Sequence, residues 1–183
     1  MKQSFFASVC LLLAAAEAQQ VFYPSLIIPI ASDQPNQAFG TQTSGTIKWS
    51  QANAASTEIV FDNLPAGGTK CRLNFVLNKN GPWNLDVKSP QPWQFGIYNI
   101  IGGYVGQQDT WSKHPLVTNL VANVTLSAVG AQIRADVSEH TVPCAGGKAQ
   151  YMLQSYPRPF TFSWFELNDV PAGNQNGITF VIQ

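Results

Sequence analysis

The 183-residue chain is 45% hydrophobic but only 11% charged, with ten Lys and Arg balancing ten Asp and Glu. That neutrality excludes a nucleic-acid partner, which would need a clustered basic face to displace counterions from phosphates. The length suffices to bury a substantial core, and the many Asn, Gln, Ser and Thr suit an extracellular surface whose polarity is carried by neutral groups.

Lys2 supplies one positive charge ahead of the apolar run 5–15, and Ala16-Glu17-Ala18 puts small residues where a signal peptidase reads. Residues 1–18 are therefore predicted to be a secretory signal peptide cleaved after Ala18, because the run is shorter than the roughly 20 apolar residues a spanning helix needs. Residues 19–183 are predicted to be a single mature domain, with no later stretch suited to crossing a bilayer. Cleavage removes Cys10 and leaves Cys71 and Cys144. An even pair in an oxidising compartment predicts one disulfide, closing a loop of about 74 residues worth roughly 4 kcal/mol in the chain-entropy model.

Strand signals then recur along the whole chain. The apolar run 25–30 ends at a turn-rich stretch and reads as an edge strand. Residues 47–50 follow as a short strand. Within 57–62, Ile59 and Phe61 share one face while Glu58, Val60 and Asp62 share the other. The turn Leu64-Pro65-Ala66-Gly67-Gly68 leads into 70–77, where Cys71, Leu73, Phe75 and Leu77 alternate strictly with Arg72, Asn74 and Val76. These two runs are expected to form an antiparallel hairpin. Gly81-Pro82, Pro90 and Pro92 mark 78–92 as a loop with little regular structure. An apolar run follows over 93–101, and 106–115 is polar.

Segments 116–127 and 131–138 are expected to pair about a turn at Gly130, with Ile133, Ala135 and Val137 opposing Gln132, Arg134 and Asp136. The sequon Asn123-Val124-Thr125 lies in the first of them, and Asn123 falls opposite the apolar Ala122, Val124 and Leu126, so a glycan there would point outward. Cys144 sits in the turn 142–147. The strands 148–155, 160–167 and 177–182 close the chain, with Tyr151, Leu153, Phe160, Phe162, Trp164, Ile178, Phe180 and Ile182 on their apolar faces. About nine or ten short strands separated by Gly/Pro turns predict an all-β fold, a sandwich or a closed barrel. The antiparallel sandwich is preferred, because an inward-facing strand cysteine linked to a distant turn suits two packed layers.

Three groups of residues carry a family resemblance. Tyr23-Pro24-Ser25-Leu26-Ile27-Ile28-Pro29-Ile30 with Ala38-Phe39-Gly40-Thr41 and Ser44-Gly45-Thr46 is similar to the opening of the fungal ubiquitin 3 binding protein But2 C-terminal domain. Ile59-Val60-Phe61-Asp62 with Thr69-Lys70-Cys71-Arg72-Leu73-Asn74-Phe75 resembles its centre, and Val142-Pro143-Cys144, Gly146-Gly147, Pro171-Ala172-Gly173 and Gly177-Ile178-Thr179-Phe180 resemble its end. The resemblance implies a small secreted β protein without assigned chemistry, and it supplies no catalytic motif. The family's name reflects an association with an intracellular enzyme, which a secreted chain would not meet.

Few residues invite chemistry. His114 and His140 have no ligand spacing, and the predicted terminus Gln19 excludes a copper site built on an amino-terminal histidine. No Gly-x-Ser-x-Gly elbow occurs. Glu58 and Asp62 stand four positions apart on one strand face, about 13 Å, beyond the carboxyl spacing that glycoside hydrolysis uses. Glu166 shares a strand face with Phe162 and Trp164 and reads as a structural acid. Trp83, Trp93 and Trp111 lie in or beside the irregular middle, where their faces could stack on sugar rings or plug the ends of the sandwich. The expectation is a secreted, non-enzymatic fungal β-sandwich of the cell wall or extracellular space, with no cofactor, metal, nucleic acid or membrane. Its partner would be a wall polysaccharide or an extracellular protein, and the alternative is a carbohydrate-binding module using the three tryptophans.

Overall fold

The computed structural model describes residues 19–87, 91–130, 132–138, 141–144, 146–168 and 174–183, so the predicted signal peptide, His140 and the 171–173 motif lie outside the described residues. Among the described residues there is no helix. In chain order the strands are β1 (Gln20–Phe22), β2 (Leu26–Ala31), β3 (Ser44–Trp49), β4 (Ala54–Leu64), β5 (Cys71–Val76), β6 (Trp83–Val87) and β7 (Trp93–Ile101). They continue as β8 (Leu116–Val129), β9 (Gln132–Val137), β10 (Thr141–Val142), β11 (Gly147–Ser155), β12 (Phe160–Phe165) and β13 (Gly177–Ile182). All pairings are antiparallel. One sheet runs β1-β13-β5-β10; the larger runs β6-β12-β3-β4-β11-β7-β8-β9, with β2 also on β4. The expected all-β antiparallel sandwich is therefore what forms.

Strict alternation explains the inner face. Cys71, Leu73 and Phe75 of β5 are buried beside Ile178, Phe180 and Ile182 of β13, and they meet Phe61, Phe95, Phe162 and Trp164 from the larger sheet. Phe75 is the hinge of this aromatic cluster, with ring centroids 5.5 Å from Phe95, 5.9 Å from Phe162 and 5.2 Å from Trp164. Its neighbours sit within the distances that favour edge and offset ring contacts, adding about 0.5–1.5 kcal/mol per pair to the area they bury.

Two expectations need correction. β4 and β5 do not form a hairpin: β4 pairs with β11, β2 and β3, whereas β5 pairs with β13 and β10. Segment 65–70 instead carries the chain from one sheet to the other. Secondly, 78–92 contains strand β6, which pairs with β12 from Trp83↔Trp164 onward. Half-buried Trp83 and Leu85 alternate with exposed Asn84 and Asp86, a short pattern masked in sequence by the surrounding prolines. The face of β4 bearing Glu58 and Val60 is interior as well, since both residues are fully buried. That face carries a second, smaller core of Ile28, Ile30, Val60, Ile100, Val105 and Met152.

Thr57 marks where β3 leaves β4. Only Lys48↔Ala55 and Trp49↔Ala54 pair directly. Beyond them the Thr57 hydroxyl donates to the Thr46 carbonyl at 2.7 Å and accepts from the Thr46 N–H at 2.8 Å. One side chain thus replaces a lost pair of ladder bonds, satisfying buried backbone groups that would otherwise be unpaired.

Candidate functional site

The structure does not bring the three tryptophans together. Trp93 opens β7 and is only 8% exposed, inside the main core. Trp83 is half-buried at the β6 edge, packs on the same core and donates its indole N–H to the Asn78 carbonyl at 2.9 Å. Trp111 packs on the second core, on the opposite face of the larger sheet. Trp83 and Trp111 therefore keep part of their surface exposed, but on opposite faces of the larger sheet. Alternation places Trp83 and Trp93 inward, a signal available in the sequence once β6 is recognised.

The polar segment 102–115 has a definite place: it caps the second core. Gln150 of β11 holds it at both ends of its amide, donating to the Gly103 carbonyl at 3.1 Å and accepting from the Val105 N–H at 2.8 Å. The Ser112 N–H donates to the Pro35 carbonyl at 2.9 Å, and Lys148 bridges Asp62 at 3.0 Å and the ring face of Tyr104 at 5.5 Å.

Beneath the cap lies Glu58. Its cross-strand neighbours are Ile28 of β2 and Met152 of β11, both buried. Neither carboxyl oxygen makes a hydrogen bond of acceptable geometry among the described residues. Burial first, and then the nearby Asp109 of the cap, push its carboxyl up to about 8. Glu58 is thus a neutral acid at physiological pH, which avoids two facing carboxylates in a dry site. Asp62, on the same strand, is held below its usual value by the Ser25 hydroxyl, against a smaller opposing effect of burial and with help from Lys148. The two acids are pushed apart in pKa, but their strand spacing keeps them from sharing a substrate.

Glu166 is the second buried acid, 5% exposed at the end of β12. One oxygen accepts from the Trp164 indole at 3.1 Å and from the Ile178 N–H at 3.2 Å. Burial raises its carboxyl to about 7 against these two bonds, which favour ionisation. The carboxyl is seated against Gly177, whose φ of 119° suits glycine and whose missing side chain leaves the space that Glu166 occupies. Gly177→Ala should therefore cost about 3 kcal/mol or more from backbone strain and overpacking together, read as a lower urea midpoint.

Cys71 and Cys144 are bonded, with Cα atoms 5.3 Å apart. Asn123 lies on the face of β8 away from the main core, yet it is half-buried, and its side-chain oxygen accepts a hydrogen bond from the Tyr156 hydroxyl. Tyr156 was not signalled by the sequon. His114 is exposed, with Nδ1 2.8 Å from the Pro115 carbonyl oxygen. Among the described residues, no group of three His, Cys, Asp or Glu is placed to hold a metal ion.

Two antiparallel sheets around an aromatic core, stapled by a disulfide and carrying two buried acids, define a disulfide-bonded β-sandwich domain. The chain belongs to the Ubiquitin 3 binding protein But2 C-terminal domain family, whose sequence model matches residues 22–169. No curated protein matches the chain.

Proposed function

We propose that this is a secreted, non-enzymatic protein that acts by binding, at the cell wall or in the extracellular space, without a cofactor. The observation that carries this reading is the Cys71–Cys144 cross-link, fully buried at Cys71. Cytosolic thiols are kept reduced, so such a link belongs to an oxidising compartment, the one a signal peptide over residues 1–18 would reach. The non-enzymatic half is supported by the enclosure of the two buried acids: Glu166 is bonded to Trp164 and Ile178 and seated against Gly177, and Glu58 is fully buried under the cap. The family's name speaks of a ubiquitin 3 binding protein. Secretion would separate the chain from a cytosolic partner of that kind, and the proposal does not carry it over.

Expressed in yeast from its own first residue, the protein should be recovered from the medium starting at Gln19. Intact mass should show no alkylated cysteine before reduction and two after it. Retention inside the cell with both thiols free would overturn the compartment, and reducing-sugar release from chitin, β-glucan or cellulose would overturn the absence of catalysis.

A further inference from the structure

The two sheets approach each other at β5 and β9 without joining. β5 pairs with β13 along its whole length, but on its other side β10 reaches only Cys71 and Arg72. β9 pairs with β8 alone. Among the described residues, the edge of β5 from Leu73 onward and the outer edge of β9 pair with no strand. A strand edge left this way presents a row of N–H and C=O groups seeking partners.

A furrow runs between these edges. One part, of ≈ 380 Å³, is lined by Lys70, Arg72, Arg134 and Asp136; the next, of ≈ 480 Å³, is lined by Lys79 and Ile133, and Asn74, Arg134 and Ala135 line both. Its floor is apolar, formed by Leu73, Phe75 and the half-buried Ile133, Ala135 and Val137. Its rim is basic. Among the described residues, four Lys and Arg line it against one acid, Asp136. That acid is already paired with Arg134 at 2.9 Å.

We propose that this furrow binds an extended acidic peptide, which adds to the open edge of β9 as a strand and sets its carboxylates against Lys70, Arg72, Lys79 and Arg134. The unpaired edges select a peptide main chain, because only another strand matches their alternating donors and acceptors. The rim selects its charge: cations on an edge repel basic strands and deter neutral ones, while an acidic strand is steered inward. The inference rests on the reading that the protein acts by binding, but not on its compartment.

The probe is an end-blocked, fluorescein-labelled heptapeptide alternating valine and glutamate, followed by anisotropy at low ionic strength. It should bind, weaken with added salt, and slow amide exchange in 132–137, whereas the valine–lysine counterpart should not bind. Methylating alternate backbone nitrogens should weaken it about tenfold, as should the double change Arg72→Glu with Arg134→Glu, with near-UV circular dichroism retained. No binding, equal binding of the methylated peptide, or equally tight binding of a galacturonate oligomer would overturn the strand-addition proposal. Were the double variant to misfold, Lys79→Glu and the methylated peptide carry the same decision. A negative result would leave the secretion and thiol measurements above untouched.

Discussion

Between about pH 5 and pH 8 the folded protein should lose several kcal/mol of stability, most of it through Glu58 and Glu166. Both carboxyls are raised in the native state, from an ordinary 4.5 to about 8 and about 7 respectively, with burial the leading cause in each. A raised acid holds its proton in the folded chain while the unfolded chain has released it. Its contribution is therefore complete below the unfolded value and declines as pH climbs to the folded one. Each group costs up to about 1.4 kcal/mol per pH unit over its window. Two protons act until Glu166 ionises near 7, one until Glu58 ionises near 8, and neither beyond that. Asp62 is shifted the other way, so its contribution is lost only as pH falls below the ordinary carboxylate range and does not offset this loss.

Urea unfolding at successive pH values tests this directly. Glu58→Gln should flatten the curve between pH 7 and 8, and Glu166→Gln should remove part of the slope below 7, whatever each does to absolute stability. A wild-type slope that survives Glu58→Gln unchanged would show that the acid is not the neutral group under the cap. Such a variant should also leave the cap seated at high pH, seen as retained exchange protection at the Val105 amide, which is bound to Gln150. In wild type the ionised Glu58 would face Asp109, and that amide should open first.

How much of this could be read in the residues depends on whether the controlling contact is local. The alternation of Cys71, Leu73 and Phe75 is set by the two-residue period of a strand, so their inward face was legible, as were β7, the β8–β9 pair and the three closing strands. The hairpin expected between β4 and β5 failed because partner choice is not local: burial on both faces made β4 central, and it pairs with the distant β11 as readily as with β2 and β3. The burial of Glu58 was not legible for the same reason. Nothing adjacent to it announces that 102–115 folds over it, and the signal that exists is the apolar company of Val60, Ile28 and Met152. The tryptophans looked grouped because they are near in sequence, yet the pleat sends Trp93 inward and the chain path carries Trp111 to the opposite face. Lys70, Arg72, Lys79 and Arg134 show the converse. Spread through a neutral chain they suggested no basic surface, and only the approach of β5 to β9 assembles them.

Breaking the Cys71–Cys144 bond, by Cys71→Ala with Cys144→Ala, should cost about 4 kcal/mol, the loop-closure value for cysteines 73 positions apart. The loss should fall unevenly. Two connections link the sheets near this point, 65–70 into β5 and the one out of β10 that includes Pro143, Cys144 and Gly146, and Gly146 is seated against Ala66. The disulfide ties the two connections together, and Gly68 packs on both sulfurs. Without it the smaller sheet keeps one long pairing, β5 with β13, while β10 contributes two residues and β1 three at the margins. That sheet should open before the larger one. Exchange protection should drop first at β5, β10 and β13, with the β4–β11 and β7–β8 amides holding until global unfolding. Cys71 is fully buried and Cys144 only half-buried, so a reductant should attack first at the Cys144 sulfur. A double variant as stable as the wild type, or loss of protection shared evenly by both sheets, would show that the aromatic cluster around Phe75 holds the layers together unaided and that the staple contributes little.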